Sequence, residues 1–343
     1  MIMKTYIKQN GNPILSLEPP IRKVALWHVT KRCNMECKYC YGTFNGSSYK
    51  NHILEKDFDL EKMLQLVDFL NKAGINRIHL CGGEPFLYKD FFELLEAIKV
   101  TGIESYVLSN FTFLPEYVQT IFSQNLISNL SFSLDSLNRD YNHFIRGVHD
   151  AVISNIEKVL QYKYTYNSDI ELGLYIVVTR KNLNYLIQLI DWAIQKGINY
   201  ITLQAVYLPK THEQYDELSL THDDLEKIKQ IFDYLVSKED KIRVSGSLLR
   251  FITNALISKD NLSVENCFVE HNSQYYFIDG DGNIKTCTTK KNIVGCVADE
   301  KFPSCVSGSS VSSICSDFCL DCIGIWEMVY PEEVNSVITE LKY

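Results

Sequence analysis

No stretch of this chain is apolar for long enough to cross a bilayer, and the polar, lysine-bearing segment Met1 to Asn10 has no signal-peptide core. Both absences lead to the expectation of a cytoplasmic protein. Positive charge is scarce as well: 34 Lys and Arg face 42 Asp and Glu, giving a formal charge of -8 and a pI near 5.6. No clustered Lys/Arg run offsets that deficit. Sustained binding to nucleic acid or to an anionic membrane needs a basic field to neutralise phosphates, so neither is expected as a partner, and a small molecule or a peptide is the expected substrate. No internal duplication of domain size is present. The remaining composition, 46% apolar and 22% charged over 343 residues, is that of an ordinary globular chain. It is long enough for one large α/β barrel with an extra module, or for two modest domains.

Cysteine is plentiful. Eleven cysteines without a secretory signal point away from a disulfide framework and toward metal or redox chemistry in a reducing compartment. Cys33, Cys37 and Cys40 stand at C-x3-C-x2-C spacing directly after the apolar run Val24-Ala25-Leu26-Trp27-His28-Val29, which reads as a buried strand. Three thiolates on one tight loop can hold three irons of a four-iron, four-sulfur cluster and leave the fourth iron without a protein ligand. An open iron is reactive. The alternative is a structural zinc loop, although zinc usually takes four ligands in paired C-x2-C knuckles.

From about residue 24 to residue 204 the pattern alternates strand and helix with short connections, as parallel βαβ units require. The strand candidates are Val24 to Thr30, Arg77 to Cys81, Ser105 to Ser109, Leu130 to Leu134, Leu172 to Thr179 and Tyr200 to Ala205. Amphipathic stretches lie between them at Leu60 to Ala73, Phe91 to Thr101, Ile153 to Tyr162 and Leu183 to Lys196. Right-handed crossovers curl six such units in one direction, so the expected fold is an α/β partial barrel open on one side. Thr221-His222-Asp223-Asp224 reads as the cap of a helix from Leu225 to Val236, followed by a strand-like Ile242-Arg243-Val244 and a helix near Leu248 to Ile257.

Candidate functional residues fall at the ends of the expected strands. Gly82-Gly83-Glu84-Pro85 closes the second strand, where glycines let the backbone approach a ligand closely and a carboxylate or carbonyl could accept from an ammonium group. Ser109-Asn110 follows the third strand, Ser133-Leu134-Asp135-Ser136 closes the fourth, Arg146-Gly147 opens the next connection, and Gln204 ends the sixth strand. The alternatives are a plain turn for the glycines, helix caps for the serines and Asn110, and a solvated charge for Arg146. Cys81 reads as a small core residue and His28 as structural. Tyr162, Tyr164 and Tyr166 read as surface or packing residues at a helix end.

After Asn261 the composition changes. Seven of the 11 cysteines lie between Cys267 and Cys322, with Gly, Ser and Asp frequent, which suggests a small metal-organised module. Cys267, Gly282 and Cys287 read C-x14-G-x4-C, and Cys315-x3-Cys319-x2-Cys322 repeats the first cysteine spacing behind a serine-rich loop instead of a strand.

The loop Cys33-Asn34-Met35-Glu36-Cys37-Lys38-Tyr39-Cys40, with its aromatic residue before the last cysteine, resembles the signature of the radical S-adenosylmethionine (SAM) enzymes. The resemblance implies a partial (βα)6 TIM-like barrel over residues 21–240, with the amino and carboxylate groups of SAM on the open iron. One electron from the cluster would then cleave the sulfonium to a 5′-deoxyadenosyl radical, which removes a hydrogen atom from the substrate. By the same resemblance Gly82, Gly83 and Glu84 contact the amino group of SAM, and Ser133 its ribose or carboxylate. Arg146 would pair with the carboxylate through its planar fork, and Gln204 would present an amide to the adenine edge. Ser109 and Asn110 fall where that fold places further cofactor contacts.

Residues 241–330 look like a linker followed by one of the auxiliary-cluster modules called SPASM and twitch. A full SPASM module carries C-x2-C-x5-C-x3-C in its second half, and this chain departs from that order. A twitch-like module with one auxiliary four-iron cluster on Cys267, Cys287, Cys319 and Cys322 is therefore expected, with Cys315 as the substitute ligand. Seven cysteines are nearly enough for a second cluster, and four-cysteine zinc is the non-redox alternative. Cys296 or Cys305 could donate a hydrogen atom to a substrate radical, as in some peptide epimerases of the superfamily.

The implied activity is crosslinking, oxidation or epimerisation of a ribosomally made peptide, with a flavodoxin- or ferredoxin-type electron donor. The alternatives are oxidation or rearrangement of a small natural-product precursor, such as an aminocyclitol, sugar or nucleoside, and a non-catalytic iron-sulfur protein. About twenty residues precede the barrel, fewer than the leader-peptide-binding domain of many peptide maturases, which favours the small molecule.

Overall fold

The computed structural model describes residues 5–9, 12–17, 23–40, 42, 56–206, 208–238, 240–245, 262–265, 275–285 and 293–303. Its strands are β1 (Thr5–Gln9), β2 (Asn12–Leu17), β3 (Val24–Thr30), β4 (Arg77–Gly82), β5 (Glu104–Ser109), β6 (Asn129–Ser133) and β7 (Glu171–Val178). These are followed by β8 (Tyr200–Ala205), β9 (Arg243–Ser245), β10 (Leu262–Glu265), β11 (Tyr275–Ile278), β12 (Asn283–Lys285) and β13 (Ile293–Cys296).

All six strands expected from the sequence are present and pair side by side in chain order, β3 to β8, each parallel to the next. Two further parallel strands flank them: β9 beside β8, and β11 beside β3. The antiparallel strands β12 and β13 extend the sheet beyond β11, and β10, β1 and β2 form a separate antiparallel sheet. The α/β partial-barrel class is therefore the observed one, with a wider sheet than six strands.

Helices fill the crossovers: α1 (Leu60–Lys72), α2 (Phe91–Thr101), α3 (Val118–Ser123), α4 (Arg139–Arg146), α5 (Asp150–Thr165), α6 (Leu186–Gln195), α7 (Tyr215–Leu218) and α8 (Leu225–Val236). In α1 the residues Met63, Leu66, Val67 and Leu70 recur at three- and four-residue spacing and are buried, and the Asp59 carboxylate caps the helix by accepting from the Lys62 N–H at 3.0 Å. Each such leucine contributes about 1.5–3 kcal/mol by leaving water. They meet the outward residues of the sheet, among them Trp27, Ile78, Leu80, Leu130, Leu172 and Leu203, in one continuous core. Alternation sends the intervening residues to the opposite face, where Leu26, His28, His79, Cys81, Tyr106, Tyr175 and Gln204 are half-buried. Cys81 thus shares a face with His79, opposite the helix-packed Ile78 and Leu80.

At the N-terminal ends of the strands that inner face is closed by polar side chains. Arg77 pairs with Glu104 at 2.7 Å, and Tyr200 Oη lies 2.6 Å from Asn129 Oδ1 and 2.5 Å from Ser131 Oγ. Gly173 is obligatory beside them, because a Cβ there would stand 2.4 Å from the Tyr200 ring. Catalytic groups on barrels of this kind gather at the other, C-terminal, end. Among the described residues no helix is long and apolar enough to cross a membrane.

Candidate active site

The cysteine loop leaves the C-terminal end of β3 and is clamped from two sides. On one side stands the turn after β4. Gly82 has φ +127°, and a Cβ on it would lie 2.5 Å from Thr30 O; a Cβ on Gly83 would lie 2.1 Å from Arg32 O. Only glycine lets the two main chains come this close. The approach is closed by two hydrogen bonds, Gly83 N–H to Thr30 O at 2.8 Å and Glu84 N–H to Arg32 O at 2.7 Å.

Glu84 is fully buried, and its carboxylate is used within the protein. It accepts from Ser109 Oγ at 2.9 Å, from the Asn110 N–H at 2.7 Å and from the Phe86 N–H at 3.2 Å. Burial pushes its pKa up to about 7, against the pull of those three donors. Glu84 and Ser109 thus tie the turn after β4 to the end of β5, while the main-chain N–H groups of Gly83 and Glu84 meet the residues just before Cys33. Asn110 continues the tie: its Nδ2 donates to Asn34 Oδ1 at 2.8 Å and lies 3.9 Å from Cys33 Sγ.

The other clamp is the C-terminal end of α4. Asn138 caps this helix through the Tyr141 N–H at 2.9 Å, and Gly147, at φ +81°, ends it. The last turn places Ile145 O to accept from the Lys38 N–H at 3.0 Å, and turns Arg146 inward. Arg146 Nε donates to Asp135 Oδ2 at 2.7 Å, and Nη1 lies 3.9 Å from Cys37 Sγ. Asp135 is fully buried and also accepts from Tyr39 Oη and from the Val177 N–H, the latter at 2.8 Å. Burial works against the charge of Arg146, but Asp135, Tyr39 and Cys37 together hold its pKa well above the ordinary arginine value.

Of the candidate residues, the structure therefore gathers Cys33, Cys37, Cys40, Gly82, Gly83, Glu84, Ser109, Asn110 and Arg146 around one loop. Ser133, buried at the end of β6, stands two residues before Asp135. Gln204 lies further round the inner face on β8, where its Oε1 accepts from Tyr175 Oη. Cys267, Cys287, Cys305, Cys315, Cys319 and Cys322, and the expected helix near Leu248 to Ile257, lie outside the described residues. Cys296 ends β13, at the far side of the sheet from β9. Tyr39 stands in the cysteine loop and Asp135 in the Ser133-Leu134-Asp135-Ser136 segment, but nothing in a one-dimensional pattern joins residues 96 positions apart.

The donor set fits an iron-sulfur cluster. Burial pushes the Cys33 thiol up to about 12 and the Cys37 thiol up to about 11, so both stay protonated until a cation arrives and displaces the protons. Among the described residues no three His, Cys, Asp or Glu groups converge on a single ion. A cubane asks for a different arrangement, since each thiolate binds its own iron.

Comparison with known proteins agrees with this geometry. Residues 27–193 match the Radical SAM superfamily. A probable GTP 3′,8-cyclase of Saccharolobus solfataricus is 28% identical over 206 residues, 58% of this chain and 63% of that protein. Mycofactocin maturase MftC of Mycolicibacterium smegmatis is 24% identical over 225 residues, 64% of this chain and 53% of that protein. Streptococcus suis SuiB, solved bound to the precursor peptide SuiA, superposes with a TM-score of 0.61 at 15% identity, over 84% of this chain and 65% of SuiB. The last likeness is one of fold. The chain spans less than two thirds of the length of each of these three proteins. The similarity to the Radical SAM superfamily thus spans residues 27–193, just under half of the chain, and the protein is an enzyme.

Proposed function

We propose that Cys33, Cys37 and Cys40 hold a four-iron cluster whose open iron takes SAM, and that the protein uses the pair to oxidise, crosslink or epimerise a ribosomally made peptide. When bound, cluster and SAM supply a 5′-deoxyadenosyl radical that removes a hydrogen atom from the substrate. The protein supplies position and exclusion of water. The observation that carries the reading is the double clamp on the cysteine loop, by the glycine turn after β4 and by the end of α4, at the C-terminal ends of parallel strands.

Within that reading the main chain of Gly82 to Glu84 faces the amino group of SAM, while Glu84 and Ser109 hold that main chain in place. Asn110, Ser133 and Gln204 offer polar groups to the rest of the cofactor. A guanidinium has five N–H donors, so Arg146 keeps some for the carboxylate after serving Asp135 and Cys37. We assign residues 21–240 to the barrel and residues 241–330 to a linker and twitch-like module with one auxiliary four-iron cluster on Cys267, Cys287, Cys319 and Cys322. A flavodoxin- or ferredoxin-type protein is the proposed electron source, and the cytoplasm the proposed location. The fold likeness to SuiB, solved with a precursor peptide, and the similarity to MftC support a peptide. The similarity to a probable GTP 3′,8-cyclase supports a second reading, a small nucleoside-like substrate.

Anaerobically reconstituted protein, reduced and supplied with SAM, is expected to release 5′-deoxyadenosine. Iron and sulfide bound without that product would make it a non-catalytic carrier. A short peptide encoded beside the gene, altered in mass or chromatographic retention after incubation, would decide for the peptide over the small molecule.

A further inference from the structure

We infer that Asp135 and Arg146 form a positioning pair that fixes Cys37 and raises the reduction potential of the cluster bound by Cys33, Cys37 and Cys40. The inference rests on the cluster reading above and concerns what the chain does to that cluster.

Arg146 and Asp135 are buried, with side-chain exposures of 7% and 0%. A buried ion pair is weak evidence for stability, because desolvating two charges offsets most of their attraction. This pair has a geometric consequence instead. Asp135 is itself fixed, Oδ1 by the Val177 N–H at 2.8 Å and Oδ2 by Tyr39 Oη. It holds Arg146 by Nε at 2.7 Å, and the guanidinium is planar, so anchoring Nε orients the remaining N–H groups. Nη1 then stands 3.9 Å from Cys37 Sγ.

The same network grips the two residues that follow that sulfur, through Lys38 N–H to Ile145 O at 3.0 Å and through Tyr39 to Asp135. Cys37 is thus held by neighbours at two consecutive positions and faced by a cation that cannot turn away. An N–H directed at a cluster thiolate stabilises the more negative, reduced cluster, which raises its potential. Asn110 Nδ2, 3.9 Å from Cys33 Sγ, acts in the same sense on a second ligand.

Two variants separate this role from simple support. Arg146→Lys keeps a cation for Asp135 but lacks the rigid fork that reaches the sulfur. Asp135→Asn with Arg146→Met removes both charges, so that neither is left buried alone. The measurement is an EPR-monitored redox titration of the reconstituted full chain, with the Cys33→Ala/Cys37→Ala/Cys40→Ala protein subtracted to remove any auxiliary signal. Arg146→Lys is expected to bind as much iron as the wild type and to show a more negative midpoint, with the double variant also displaced to more negative potential. An unchanged midpoint in both variants at full iron content overturns the inference. So does loss of fold or of iron in Arg146→Lys, which would assign the pair to structure alone. If the wild type binds no more iron than the Cys33→Ala/Cys37→Ala/Cys40→Ala protein, the cluster reading itself has failed, a result distinct from either.

Discussion

Replacing Gly83 by alanine drives a methyl group into the main chain of the cysteine loop. The new Cβ would lie 2.1 Å from Arg32 O, 2.6 Å from Arg32 C and 2.9 Å from Lys31 C. Real Cβ atoms stop at 3.0 Å, so the two loops must part by roughly 0.9 Å at the tightest point. None of the three atoms belongs to a flexible side chain that could swing away. Parting by that amount stretches Gly83 N–H to Thr30 O, now 2.8 Å, and Glu84 N–H to Arg32 O, now 2.7 Å, beyond hydrogen-bond range. Two hydrogen bonds at about 0.5–1.5 kcal/mol each, with residual strain of about 1–3 kcal/mol, give an expected loss of about 2–6 kcal/mol. Urea unfolding of the cysteine-reduced apoprotein reads this as a lower midpoint at unchanged slope, and reconstitution reads it as reduced iron content. A Gly83→Ala protein within about 0.5 kcal/mol of wild type, binding iron normally, would refute the claim that close main-chain approach sets the loop.

On the polar floor of the barrel, Gly173→Ala should cost about 1–3 kcal/mol by overpacking, since its Cβ would stand 2.4 Å from the Tyr200 ring and 2.6 Å from Ser131 Oγ; thermal unfolding checks it. Burial lowers both His28 and His79 from 6.5 to about 4, so the unfolded chain binds their protons first. Their contribution to stability is full above pH 6.5 and lost as pH falls toward 4, up to about 3 kcal/mol each. Glu84, raised from 4.5 to about 7, opposes them: its contribution is full below pH 4.5 and lost as pH rises through 7. The urea midpoint of apo Glu84→Gln should therefore fall more steeply between pH 6.5 and 5 than that of wild type, and an identical slope would remove Glu84 from the balance.

The elements legible in the sequence are those whose signal is local. Val24 to Thr30 and Phe91 to Thr101 match β3 and α2 end for end, because a strand buried on both faces is a continuous apolar run and a helix with a repeating apolar stripe shows its period. Thr221 and Asp224 form the capping box expected before α8. Short α3 and α4 carry too few turns to display a period, and α4 proves to be half of the clamp. The pairing of β11 with β3 joins residues about 250 apart, and no local pattern encodes a partner at that distance. Within the site, the cysteine spacing and the Gly-Gly-Glu-Pro turn were readable as motifs. The inward turn of Glu84 toward Ser109, and of Arg146 toward Asp135, was not, since both depend on which strand end lies beside which. Cys81, read as a small core residue, lies on the inner face of the sheet, because strand alternation gives the helix-packed face to Ile78 and Leu80. Tyr164 is exposed and Tyr162 packs on Phe122, as a helix edge allows.

The central claim is that three sulfurs of one loop leave one iron open to SAM. Its most direct test is the EPR spectrum of the reduced, reconstituted protein recorded with and without SAM. The account predicts a cluster signal that changes on adding SAM in the wild type and is missing from the Cys33→Ala/Cys37→Ala/Cys40→Ala protein. A signal indifferent to SAM, or one that survives the loss of all three cysteines and still responds to SAM, would contradict it.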